Sequence, residues 1–284
     1  MTRAAAAGRG ATSQHVRLYD ATYAECALDA RRQVRLETYG EDLGQNGWLT
    51  AAEWREATER LELHEESSVL DVACGSGGPA VELAGRTGAS VVGVDVNPHA
   101  IATAGELARG AGLGARARFE VADAARPLPY AAGSFDAAIC IDAINHLPDR
   151  AARLADWHRL LRPGGWILFT DPIVVTGLLT SEEVAARASI GFFVFSPLGE
   201  DERLAREAGF DLVRSEDTTE NVVAVSRRWH DARARLAAEL VEDEGAETFD
   251  GLQRFLSTVH QLASGRRLSR VTILARKRGT ANAN

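Results

Sequence analysis

The sequence predicts an α/β protein: a doubly wound, mostly parallel sheet of seven strands, with a helical cap before it and a lid after the fifth strand. Three observations carry this. Residues 69–80, VLDVACGSGGPA, read as a buried strand, a glycine turn and the start of a helix. Apolar runs near 68–73, 90–95, 116–121, 135–141 and 165–170 alternate with helical stretches near 79–87, 98–110 and 149–161. Four acids, Asp71, Asp95, Asp123 and Asp142, fall at the predicted strand ends, the edge where such sheets bind ligands.

Taken in order, residues 1–13 are rich in Ala, Gly and Arg and lack an apolar segment, so they read as a disordered tail rather than a signal peptide. Residues 14–64 read as the cap. Within it, 15–39 has helical propensity with Tyr19, Tyr23, Ala27, Ala30 and Val34 near one face. The loop YGEDLGQNGW follows at 39–48. Thr50 then reads as an N-cap, with Glu53 at the capping-box position of a helix running to Leu63.

The sheet domain spans 65–278. Its insert at 172–198 is apolar, rich in Phe and Val, and too long for an ordinary connection, so it reads as a lid with a short helix near 181–188. Beyond it the pattern gives a helix at 200–209, a strand at 210–215, helices at 220–243 and 246–263, and a last strand at 268–275. Residues 279–284 read as a second disordered tail.

Composition narrows the function. A net charge of −8 disfavours nucleic acid, whose binders carry a basic face. The three cysteines, Cys26, Cys74 and Cys140, lack metal spacing, and Cys74 and Cys140 read as reduced residues of a cytoplasmic protein without a metal centre. No apolar run approaches the roughly 18 residues of a membrane helix. Lys277 is the only lysine, which reads as composition bias rather than a functional use of Arg.

The glycine turn is the chemically specific stretch. Gly75, Gly77 and Gly78 let the chain turn tightly and let a ligand approach the backbone. Pro79 suits a first helical turn, whose free N–H groups and dipole favour an anionic group. Gly75-x-Gly77-x-x-Ala80, with Asp95 twenty positions after Gly75, also fits the Rossmann-like dinucleotide pattern. A dehydrogenase binding NAD is therefore one reading of this turn.

The wider set of blocks points elsewhere. LDVACGSGG, VVGVDVN, VADAARPLPYAAGSFDAAIC and LLRPGGWILFTDP occur in that order over about 110 residues. They resemble the class I S-adenosylmethionine (SAM) methyltransferases. The resemblance implies a SAM cofactor whose ribose diol meets Asp95 and whose adenine meets Val96, Asp123 and the Ala124 N–H. It places the amino-acid head near Asp71, Ala73, Gly75 and Gly77, and adds Gln45, Cys140 and Ile141 to the cofactor site. It also implies that the closing strand pair runs antiparallel to the rest.

Asp142 and His146 stand four apart just past the fourth strand and would share a face of a helical turn. Similar D-x-x-x-H stretches, and a loop like GEDLGQNGW, occur in the phosphoethanolamine and sarcosine/dimethylglycine N-methyltransferases. That likeness implies catalytic roles for Asp142, His146 and Tyr19 or Tyr23: the acid holds an amine, and the histidine pairs with a tyrosine over the methyl-transfer site. An amine must lose its proton before attack, and a histidine titrates in the right range to take it. The lid here has one basic residue, Arg187, and no Tyr, so a phosphate site is not expected. The acceptor is instead expected to present an apolar body, either to Phe192, Phe193 and Phe195 or, where these are core, to other residues. Arg227, Arg228 and Trp229 read either as a carboxylate holder or as a solvated face with one buried aromatic.

The expected function is thus SAM-dependent methyl transfer to a small-molecule amine. Four alternatives stay open: O- or C-transfer to a specialised natural-product metabolite, a macromolecular methyltransferase, a SAM-binding protein that transfers nothing, and the dehydrogenase. The expected partner is a small-molecule methyl acceptor, without nucleic acid or membrane, in a monomer or homodimer.

Overall fold

The structure is a computed structural model and describes residues 29–279; Tyr19, Tyr23 and Cys26 lie outside them. Its elements are α1 (Asp29–Tyr39), α2 (Ala51–Glu59), β1 (Ser68–Val72), α3 (Gly78–Thr87), β2 (Ser90–Asp95), α4 (Pro98–Gly110), β3 (Ala117–Val121) and β4 (Phe135–Cys140). After a 3₁₀ turn (Ile144–His146) come α5 (Arg150–Leu160), β5 (Leu161–Val175), α6 (Ser181–Arg187), β6 (Ser196–Pro197), α7 (Glu200–Glu207) and β7 (Phe210–Asp217). The chain closes with α8 (Thr219–Arg235), α9 (Ala237–Glu244), α10 (Ala246–Ser264) and β8 (Leu268–Lys277).

Local chemistry starts the helices. The Asn97 side chain accepts from the His99 and Ala100 N–H groups at the head of α4, and Asp149 accepts from Ala152 at the head of α5. Thr180 and Glu183 form a complete capping box on α6. At Thr50 only half of the expected box forms. The Thr50 hydroxyl accepts from the Glu53 N–H, but the Glu53 carboxylate turns away to Arg270.

The sheet runs β3-β2-β1-β4-β5-β8-β7, the doubly wound order, with β6 an eighth, two-residue strand pairing with the end of β5. Strands β1 to β5 are mutually parallel. The closing pair departs from expectation. Strand β8 is antiparallel to both β5 and β7, so β7 runs with the parallel strands and β8 alone opposes them. Inserting between β5 and β7, β8 satisfies both backbones while reversing once. Strand β5 is also longer than the sequence suggested. Its extension, Pro172–Val175, shortens the lid to 176–195.

Each face of the sheet buries its own layer. Leu70, Val72, Val94, Phe135, Trp157 and Phe169 pack on one side, and Val69, Val91, Ile139, Leu168, Trp54 and Leu83 on the other. Alternate strand residues go to opposite layers, as the two-residue period requires. The helical cap is built from both ends of the chain. Val34 of α1 packs with Ala232 and Leu240, while Tyr39 and Trp48 pack with Val222, Val225 and Phe255. Residues 220–243 do not form one helix but break at Leu236 into α8 and α9.

Gly77 shows why the turn needs glycine. Its φ is +75°, and a Cβ there would lie 2.6 Å from the Ala104 Cβ and 2.8 Å from the Phe119 ring. Gly77→Ala should therefore cost about 1–3 kcal/mol from overpacking alone, with left-handed strain added. Urea denaturation of the variant would show this as a lowered midpoint at unchanged slope.

Candidate functional site

A cavity of about 690 Å³ opens at the carboxyl ends of β1, β2 and β4, roofed by the 44–49 loop of the cap. Asp71, Ala73, Gly75, Asp95, Val96, Asp123, Ala124, Ile141, Asp142, His146 and Gln45 all line it. Two expected cofactor residues do not. The Cys140 side chain is 1% exposed in the core, because it alternates with Ile139 on β4 and Ile141 just beyond it, and so shares the opposite layer with Ala138. Gly77 acts beneath the turn, as described above. Phe192, one of the three expected lid phenylalanines, lines the cavity too, as do Ser76, Asn46, Asn97 and Leu147, which no sequence signal singled out.

The carboxylates at the rim have different fates. Asp71 is 7% exposed, and no described residue donates a hydrogen bond to it. Burial, with Asp95 nearby, pushes its pKa up to about 7. Asp95 accepts from the Gly75 N–H at 3.0 Å and the Asn97 N–H at 2.9 Å. Burial raises its pKa while those N–H groups pull the other way. A carboxylate has roughly four lone-pair sites, so Asp95 keeps capacity for a diol. Asp123 accepts from the Ala125 N–H at 2.9 Å and pairs with Arg126 at 3.3 Å, half exposed at the rim. Val96, 44% exposed, offers an apolar surface between them.

Asp142 is different again. One oxygen accepts from Arg270 Nε at 2.7 Å and the Thr170 hydroxyl at 2.8 Å, and the other from the Trp48 N–H at 2.8 Å. Arg270, on β8, is fully buried and also binds Glu53 and the Thr218 hydroxyl. Asp142 sits at φ +52°, a strained conformation for a non-glycine. Gly47 packs so closely that a Cβ would lie 2.9 Å from an Asp142 oxygen. Asp142 is thus a structural anchor, and the amine-holding role expected of it has no oxygen left uncommitted by protein partners.

His146 ends the 3₁₀ turn, with Nδ1 2.9 Å from the Phe192 carbonyl and Nε2 3.4 Å from the Asn145 Nδ2. The Gln45 amide is committed to its own loop, accepting from the Leu43 N–H and donating to the Glu41 carbonyl. Of the three lid phenylalanines only Phe192 reaches the cavity. Phe193 packs on the His146 ring and Phe195 joins Ile173 and Leu262. Arg227 and Arg228 face solvent, and Trp229 packs against Tyr39 and Trp48.

Three physical features fit a SAM molecule. The orphan carboxylate of Asp71 suits an ammonium. Asp95 has spare acceptor capacity for a diol. The glycine turn, with Ala73 and Gly75 at φ +57° and +54°, aims backbone groups into the cavity. Among the described residues lining the cavity, none is Lys or Arg, which suits a cationic sulfonium.

Comparison with known proteins agrees. A family model described as a methyltransferase domain matches residues 70–169. The chain is 39% identical over 168 residues to methyltransferase GfsG of Streptomyces halstedii, covering 57% of this chain and 59% of that one. It is 30% identical over 204 residues to 27-O-demethylrifamycin SV methyltransferase of Amycolatopsis mediterranei, covering 68% and 75%. The solved phosphoethanolamine N-methyltransferase 2 of Haemonchus contortus, holding S-adenosyl-L-methionine, superposes with a TM-score of 0.76 at 21% identity, covering 89% of this chain and 58% of that one. The chain thus spans less than two thirds of the first of these relatives.

Two predictions follow from the carboxylates. Because the folded-state pKa of Asp71 is raised, stability of the ligand-free protein falls as pH rises from about 4 to about 7. A ligand ammonium favours the charged form, so affinity for S-adenosylhomocysteine should rise with pH up to about 7, by up to tenfold per unit. Asp71→Asn should flatten that dependence in calorimetric titrations. Separately, Asp142→Ala strands the buried Arg270 and should cost about 3–5 kcal/mol, read as a lowered urea midpoint.

Proposed function

The chain belongs to the SAM-dependent methyltransferase family, and from that premise we propose that it methylates a hydroxyl oxygen on an uncharged, largely apolar small molecule. The observation that supports oxygen over nitrogen is the commitment of Asp142 to Arg270, Thr170 and Trp48. An amine acceptor would need a carboxylate facing it, and this one is neutralised from behind. The absence of Lys and Arg from the described cavity lining argues against phosphate or carboxylate on the acceptor. Ile141, Leu147, Pro148 and Phe192 supply apolar walls for its body.

Bound SAM supplies a methyl carbon made electrophilic by its sulfonium. The chain's own contribution is placement, deprotonation and exclusion of water. Methyl transfer is an in-line displacement, so fixing donor and acceptor can supply up to roughly 7–11 kcal/mol in ideal cases. Asp71 holds the ammonium, Asp95 the ribose diol, and Asp123 with Ala124 the adenine edge, with Val96 packed on the ring. His146 takes the hydroxyl proton. Its Nδ1 faces a carbonyl and therefore carries hydrogen, which leaves Nε2 as the basic atom. The Phe192 side and the cap loop close the cavity over the reacting atoms.

The relative named for 27-O-demethylrifamycin SV supports an oxygen acceptor. N-transfer is the second reading, favoured by the negative field of Asp71, Asp95 and Asp123 around a cavity without basic lining. A cytoplasmic, metal-independent enzyme of natural-product biosynthesis is consistent with both. The pairing of His146 with Tyr19 or Tyr23 rests on the resemblance alone.

The test is S-adenosylhomocysteine release from SAM with separate pools of hydroxylated apolar metabolites, amines and activated carbons. Turnover is expected in the hydroxyl pool. His146→Ala should lower it about 10²–10⁴-fold with S-adenosylhomocysteine binding retained. Turnover confined to the amine pool would replace this reading with the second.

A further inference from the structure

We infer that the lid segment 192–197 fixes the tautomer of His146, and that Arg187 is the positioning residue that holds the segment there. Two of the ring's contacts bear on its tautomer. A carbonyl only accepts, so the 2.9 Å contact to the Phe192 oxygen places hydrogen on Nδ1. An amide NH₂ only donates, so Asn145 Nδ2, at 3.4 Å, faces a lone pair on Nε2. One of these partners belongs to the ring's own turn and the other to the lid. The lid carbonyl thus favours the Nδ1–H form, whereas a histidine side chain in water favours the opposite, Nε2–H form.

The segment is pinned along its length. The Val194 N–H donates to the Asn145 carbonyl at 2.7 Å, and the Val194 carbonyl accepts from Arg150 Nη2 at 2.9 Å. Arg150 is itself held by buried Asp171 and Asp201. Ser196 then pairs with Val174 as β6. The side-chain anchor lies between these points. The Phe193 ring packs 4.7 Å from the His146 ring. The buried Arg187 guanidinium, at the end of α6, lies 4.8 Å from the centre of the Phe193 ring and 5.0 Å from that of Phe255 on α10. Arg187 thereby ties the segment bearing the Phe192 carbonyl to the helical cap through two aromatic faces. It stands outside the lining of the main cavity and reaches His146 through Phe193.

The consequence for catalysis rests on His146 being the proton acceptor proposed above; the tautomer itself does not. With the segment docked, the ring presents a basic Nε2. With it undocked, Nε2 gains hydrogen and the ring turns from acceptor to donor at that atom. Substrate deprotonation is then possible only under a closed lid, when water is excluded.

The experiment is long-range ¹H–¹⁵N correlation NMR on the full chain labelled at histidine, saturated with S-adenosylhomocysteine at a pH where the ring is neutral. His146→Gln assigns the signal. The expected wild-type pattern is protonated Nδ1 with Nε2 bare. Arg187→Met and, as a milder second variant, Phe193→Leu should shift the population toward Nε2–H while S-adenosylhomocysteine still binds. Protonated Nε2 in the wild type, or a wild-type pattern retained in a folded Arg187→Met protein, would overturn the proposal. No acceptor is needed, so a chain that methylates nitrogen still returns an answer on the tautomer.

Discussion

A fully buried guanidinium organises this molecule. Arg270 reaches from the one antiparallel strand to Asp142 after β4, to Glu53 on α2, and to Thr218 at the head of α8. An arginine without countercharge at this depth would be prohibitive, so the three partners have to converge. That requirement overrides local preference twice. It draws Glu53 out of its capping box, and it accompanies a left-handed backbone at Asp142. Such an arrangement contributes little net stability against an apolar alternative. Its effect is to define one geometry for the cap, the post-β4 turn and the sheet together.

The cofactor pocket inherits its chemistry from this convergence. Once Asp142 is neutralised and bonded to the Trp48 N–H, the loop 44–47 is held over the glycine turn, where Ser76 donates to the Gly44 carbonyl. Under that roof Asp71 loses water without gaining a protein partner, and Asp95 gains two backbone donors. Carboxylates at equivalent strand ends thus come to differ: one is desolvated without a donor, one is held by backbone N–H groups, and one is a structural brace. Desolvation and partner supply separate them, rather than residue type.

Cap and lid meet around the same site. Trp48 stacks on Phe255, Phe255 faces Arg187, Arg187 faces Phe193, and Phe193 packs on His146. This contiguous path runs from the cap loop beside Asp142 to the histidine four residues later in the chain. A histidine's chemistry depends on which nitrogen carries hydrogen, so packing along the path has a direct chemical readout.

The sequence by itself determined the doubly wound order of β1 to β5, the glycine turn, and the placing of Asp71, Asp95 and Asp123 on the ligand edge. These depend on interactions within a few residues: strand periodicity, the freedom of Gly77, and strand ends that open onto helix starts. Tertiary structure decided what each group does. Asp142 became a brace because of an arginine 128 residues away. Cys140 turned to the core because alternation puts its neighbours Ile139 and Ile141 on the other layer. The parallel course of β7 followed from β8 inserting beside β5. Each outcome turns on a partner far along the chain, and a charge or a strand cannot declare its partner until the fold has brought the two together.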